Sequence, residues 1–151
     1  MSRSFTVSNS FSRPANTTGY AAQDIVSNNT SSGSVVALSF GTPYGAQIRS
    51  AKLMKSSVTA TGTAFTLFLY DTQPTVTNGD NGAYTSIEAN FIGSIAVNCT
   101  SSTFSDDASG MATVTVPIYP TGSCYGLLRA EASYTPTSAE TFTVTLFGEV
   151  D

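Results

Sequence analysis

At 151 residues the chain fits one domain, long enough to bury a single core without staples. Only 11% of it is charged, against about 25% in ordinary globular proteins, and ten acids against six bases leave a formal charge of −4 with no histidine. That balance excludes a phosphate-reading basic patch, and the missing imidazole excludes serine triads and two-histidine metal sites.

Polarity resides in hydroxyls instead. Ser and Thr supply roughly three residues in ten, and Thr suits a pleated, half-exposed surface better than a helix. An all-β protein is expected.

In chain order, MSRSFTVSNSFS places apolar side chains at Phe5, Val7 and Phe11 and reads as an N-terminal arm over 1–12, ahead of a single β-sandwich domain over 13–151. Neither this segment nor any later one has the apolar run of a signal peptide or the roughly 18 apolar residues that span a bilayer, so cytoplasmic production and no membrane partner are expected. The arm either adds an edge strand to its own sheet or reaches a neighbour by strand addition. RPANTTGYAAQDIVSN follows. Its Pro14 to Gly19 segment is a turn that feeds Tyr20 and a short strand, Asp24 to Ser27. Arg13 and Asp24 flank the turn, and a hydrogen-bonded pair between them would close it.

Strand candidates continue at Ser34 to Phe40 and Gln47 to Val58. AFTLFLYD alternates Phe65, Leu67 and Leu69 with Phe68 and Tyr70, so it is apolar on both faces and belongs in the centre of a sheet or under a partner. The stretch Thr72 to Ala83 has no periodicity, and its NGDNG core, Asn78 to Gly82, suits turns with positive φ. Thr85 to Asn90 has some helical character, with Ser86 to Ala89 able to make a turn or two. Phe91 to Val97 reads as a strand. MATVTVPI aims Val114, Val116 and Ile118 inward, with Pro117 confining the strand to an edge or ending it. Cys124 to Glu131 is another candidate. TFTVTLF has the cleanest alternation, with Phe142, Val144 and Leu146 on one face and threonines on the other. Gly, Pro, Asn and Ser clusters separate these runs. About eight strands with such spacing predict an antiparallel two-sheet sandwich of jelly-roll type.

Catalytic chemistry is not evident. Phosphate-binding glycine motifs are missing, and the carboxylates fall mostly in loops or on wet strand faces, where solvated charge is the simplest reading. Asp106 with Asp107, or Asp80 with Asn78 and Asn81, form oxygen-rich loops of the kind calcium uses, but match no EF-hand spacing. The expectation is a protein without enzymatic activity, cofactor or metal. Cys99 and Cys124 are read as reduced, buried small hydrophobes.

Two families share pieces of the opening stretch. Thr18, Tyr20, Asp24 and Val26 resemble the T-x-Y-x-x-G-D-x-V strand entry of small carbohydrate-binding modules. Gln23 stands where that pattern has glycine, and the tryptophans on which such modules stack sugars are lacking. Tailed-bacteriophage structural proteins are similar over more of the chain. They share the segment RP-x-[ND]-TT-x-Y-x-[AG]-x-D-[IV]-V, and the likeness continues through IRSAKL, LFLYDTQP, GDNGAY, FIGSI and the closing Thr/Phe strand. That resemblance implies a capsid cement or decoration protein with a jelly-roll-like sandwich. It would bind the major capsid protein on the outer shell of a virion assembled in the bacterial cytoplasm, as a homo-oligomer, dimer or trimer, without direct nucleic-acid contact. Phe5, Val7, Phe11, Arg13 and Tyr20 are the candidate partner-binding residues. The alternative is a tail-associated adhesion or carbohydrate-binding domain in which Tyr20, Tyr44, Tyr84, Tyr119, Tyr125 or Tyr134 offers a stacking face.

Overall fold

A computed structural model describes residues 1–57, 64–85, 89–101 and 108–151. Ten strands follow one another: β1 (Arg3–Ser12), β2 (Ile25–Val26), β3 (Leu38–Phe40), β4 (Ala46–Lys55), β5 (Ala64–Tyr70), β6 (Phe91–Asn98), β7 (Thr100–Ser101), β8 (Ala108–Ile118), β9 (Cys124–Ala130) and β10 (Thr141–Val150). One short 3-10 turn, Ser32–Ser34, occupies the start of the run expected as a strand from Ser34 to Phe40.

The strands form two antiparallel sheets, ordered β1-β10-β4-β8-β7 and β2-β9-β5-β6. β2 and β3 pair with successive stretches of β9, Ile25 and Val26 with Arg129 and Leu128, then Leu38 to Phe40 with Gly126 to Cys124. They are one interrupted strand position. β6 runs on through Cys99 into β7, so the chain leaves one sheet and joins the other there. Eight strand positions remain. The first, last, third and sixth make one sheet and the second, seventh, fourth and fifth the other, which is a jelly-roll order.

Alternation sets the core. In β10, Phe142, Val144 and Leu146 are buried between the sheets while the intervening threonines are half-exposed. β4 and β5 supply Ile48, Leu53, Phe65, Leu67 and Leu69 to the same core. β5 lies between β9 and β6, the central place its two apolar faces require. Its outer face is covered within the chain: Tyr84 stacks on Phe68 at 4.7 Å and the Arg129 guanidinium sits 4.8 Å from the Phe68 ring.

Of the two expectations for the N-terminal segment, the first holds: it adds an edge strand to its own sheet. β1 pairs with β10 along its whole length, from Arg3 opposite Val150 to Ser12 opposite Thr141. Phe5, Val7 and Phe11 therefore point inward and pack half-buried against the core. Phe11 stacks on Phe142 at 5.5 Å, and Phe5 lies over Gly148, where an added Cβ would come within 2.6 Å of the ring.

β8 also departs from the expected pattern. Val116 is 73% exposed and Val114 only partly buried. β4 and β8 keep register from Lys55 opposite Ala108 to Ser50 opposite Thr113, but the next pair is Ile48 with Ile118. Val114 to Pro117 thus bulge out of the ladder opposite Arg49, and period two fails at the bulge. A proline, which cannot donate to the ladder, sits within it.

Candidate functional site

The described residues concentrate their ionic chemistry in a buried seam at one end of the sandwich. Arg13 follows directly on β1, and its backbone N–H donates to the carbonyl of Glu140 at 2.9 Å. Its guanidinium, 2% exposed as a residue, is fully engaged. Nε donates to the Tyr20 hydroxyl at 2.8 Å, Nη1 to the Asn16 carbonyl at 2.6 Å, and Nη2 to Asp80 Oδ2 at 3.2 Å. Tyr20 in turn donates to Asp80 Oδ1 at 2.5 Å, and the Ser27 N–H donates to the same oxygen at 2.9 Å.

The NGDNG loop reaches this position because of its glycines. At Gly79 a Cβ would stand 1.8 Å from the Thr30 carbonyl oxygen, so only glycine lets the loop close on the strand entry, where the Asp80 N–H donates to Asn29. Asn81 adopts φ of 69° and its side-chain amide donates to the Thr18 carbonyl. The expected Arg13–Asp24 pair is therefore replaced by Arg13–Asp80. The Asp24 carboxylate instead accepts the Ala21 N–H at 2.7 Å, closing its own small turn.

A second buried ion pair lies beside the first. Lys55 Nζ donates to Glu140 Oε1 at 2.8 Å, with both side chains at 0% exposure. Tyr134 joins the two pairs, stacking on Tyr20 at 5.0 Å while Lys55 Nζ lies 5.9 Å from its ring. Burial pushes the Asp80 carboxyl above its ordinary range, with Ser27, Tyr20 and Arg13 pulling the other way. Glu140 is raised by the same cause against the pull of Lys55. Burial likewise raises the phenols of Tyr20 and Tyr134 far beyond any physiological pH.

The side chains of this seam are enclosed within the chain. Arg13 and Tyr20, expected as partner-binding residues, are buried and satisfied internally, and Phe5, Val7 and Phe11 serve the core. In the loop considered for calcium, the Asp80 carboxylate accepts from Arg13, Tyr20 and Ser27 and is 6% exposed as a residue. Asp106, Asp107 and the Ser86 to Glu88 part of the helical candidate lie outside the described residues. No cluster of three metal-ligating side chains occurs among the described residues. The thiols are separate, buried and unreactive in kind: desolvation pushes Cys99 up to about 11 and Cys124 up to about 12.

Lys55 and Glu140 were not singled out as a pair from the sequence, although a signal exists. Lys55 falls in phase with the inward Ala51 and Leu53, and Glu140 in phase with Phe142 and Val144. Alternation thus marks both as inward charges.

The outward-facing candidate is on the opposite side of the sandwich, where β6 ends one sheet and β8, flanked only at its start by the short β7, borders the other. An open groove of roughly 470 Å³ runs between them, lined by Ile92 to Ala96 and Thr113 to Ile118. Neither strand carries a charged residue: β6 reads FIGSIAVN and β8 ASGMATVTVPI. Val116, which lines the groove, is 73% exposed, and on the same two strands Met111 and Phe91 are 60% and 44% exposed outside it, Phe91 against Phe68 and Tyr70. Of the tyrosines expected to offer stacking faces, Tyr20 and Tyr134 are buried and Tyr84 lies against Phe68, whereas Tyr44 and Tyr119 are well exposed.

No protein-family model matches this chain, and no curated protein matches it significantly.

Proposed function

We propose that this jelly roll is a virion structural protein, a capsid cement or decoration protein that binds the major capsid protein on the outer surface of a bacteriophage shell and stabilises it without turnover. The observation that carries the reading is the distribution of chemistry. Arg13, Lys55, Asp80, Glu140 and both thiols are enclosed, while one side of the sandwich presents exposed apolar side chains on uncharged strands. Surfaces of that kind mark interaction sites, and the centres of interfaces are depleted of charge. The resemblance of the RPANTTGYAAQDIV stretch and the later short segments to tailed-phage structural proteins gives the partner its identity. With Arg13 and Tyr20 buried, the contact falls to outward residues away from the β6 edge such as Met111.

Exposed Tyr44 and Tyr119 favour one second reading, a tail-associated adhesion domain that stacks sugars on tyrosine. One experiment separates the two. Purified protein is mixed with shells lacking it, and co-sedimentation and the temperature of DNA release are followed. Saturable binding in fixed ratio to the major capsid protein, with a higher release temperature, is the expected result, since a ligand of the intact state stabilises it by mass action. Failure to bind overturns the cement reading, and glycan-array hits abolished by Tyr44→Ala and Tyr119→Ala would establish the other.

A further inference from the structure

We infer that two copies of this chain associate through the β6 edge, pairing β6 antiparallel with its own symmetry mate about a two-fold axis. The inference deepens the homo-oligomer part of the reading above and stands without its capsid part.

β6 ends its sheet, and among the described residues no strand pairs with its outer edge. An unpaired strand edge is a row of backbone donors and acceptors that accepts another extended strand. Edges left exposed in monomeric proteins are usually blunted by charge, by inward lysines or by proline. β6 has none of these over its eight residues; its pairing with β5 is irregular at Ile92 and regular from Gly93 to Asn98. From Gly93 onward its outward side chains are small, Ser94, Ala96 and Asn98, while the exposed Phe91 ring lies back against Phe68 and Tyr70, so a second backbone can approach this stretch.

Charge selects a second copy as the occupant. Each chain carries a formal charge of −4 and repels its own kind except where a face is neutral. The β6 and β8 strands form such a face. About a two-fold axis every residue of β6 meets another residue of β6, and an uncharged strand meets no like charge on itself. The β1 edge differs in charge: its strand bears Arg3, and beside the groove of roughly 490 Å³ that opens along it Asn9 Nδ2 donates across to the Ser39 carbonyl at 2.9 Å.

Size sets the strength. Eight residues of strand run about 27 Å, and two sheets about 10 Å apart with their side-chain layers give a side face roughly 20 Å wide. The face is about 500 Å² per copy, or about 1,000 Å² for the pair, at the lower limit for a specific interface. A reversible dimer results, forming as concentration rises.

Sedimentation equilibrium of the full chain from micromolar to near-millimolar concentration tests this. The wild type is expected to follow a monomer–dimer equilibrium. Ala96→Lys, at an exposed β6 position, is expected to raise the dissociation constant at least tenfold with an unchanged thermal midpoint. Thr6→Lys, at an exposed β1 position, is expected to leave it unchanged. Should Ala96→Lys unfold the chain, Ser94→Lys repeats the test on the same outward face. A monomer at every concentration, a trimer, or a dimer weakened by Thr6→Lys and indifferent to the β6 variants would overturn the inference.

Discussion

The two long sides of the sandwich are built from the same kind of strand, each beside an open groove, and are finished in different ways. On the β1 side, Phe11 stacks on Phe142, Phe5 covers Gly148, Asn9 bridges to the other sheet, and the chain passes straight into the buried Arg13–Asp80 pair. On the β6/β8 side a bulge opens the ladder, Val116 stands out in solvent, and among the described residues no charged side chain lines the groove. The contrast teaches that a scarcity of charge need not mean an absence of electrostatics. Four ionisable side chains of a sparsely charged chain serve as internal fastenings at one end, and the opposite side is left neutral, where neutrality favours contact.

The largest effect should come from unfastening the closed end. Arg13→Ala or Asp80→Ala leaves an uncompensated charge in the interior and is expected to cost about 3–5 kcal/mol, read from urea unfolding. Asp24→Ala, which touches only its own turn, should cost far less. Equal losses at Asp24 and Asp80 would erase the distinction between the fastening and its surroundings.

A subtler break replaces the second pair. Lys55→Met or Glu140→Leu alone should each cost about 3–5 kcal/mol, while the double variant, which removes both desolvation penalties, should recover most of that loss. A double-mutant cycle with simple additivity would contradict the pairing.

Smaller still is the effect of pH. Burial raises the folded-state pKa values of Asp80 and Glu140, so the folded chain holds these protons more tightly than the unfolded one. Their contribution to stability is fully present below the ordinary carboxylate range of about 4 and is lost as pH rises through the raised values. The urea midpoint of the wild type should fall as pH rises from about 4 toward neutrality, and Asp80→Asn with Glu140→Gln should flatten that slope. An opposite slope that the same substitutions flatten would show depressed pKa values instead.

The smallest change concerns backbone alone. Gln23 is exposed and holds φ of 73°, a left-handed conformation costing a non-glycine residue about 1–2 kcal/mol. Gln23→Gly should raise stability by up to about 1 kcal/mol, partly offset by the greater freedom of glycine in the unfolded chain.

Much of the fold is legible because alternation is local. TFTVTLF and AFTLFLYD display their inward faces directly, and the jelly-roll arrangement follows from strands of that type and spacing. Arg13 is different. It stands next to a turn with Asp24 eleven positions on, yet its partner is Asp80, brought in by a glycine-dependent loop closure that no local pattern encodes. Val116 misleads for the converse reason: its local pattern is good, and the bulge that turns it outward exists only through pairing with β4. Phe5, Val7 and Phe11 look like an unattached arm until β10 is placed beside them.

The claim that the β6/β8 side is the associating side is tested most directly by amide hydrogen exchange of the full chain, compared between dilute and concentrated solution. The account predicts added protection over Phe91–Asn98 at high concentration, and none over Arg3–Ser12. Protection gained along β1, with β6 exchanging at the same rate in both solutions, would contradict it.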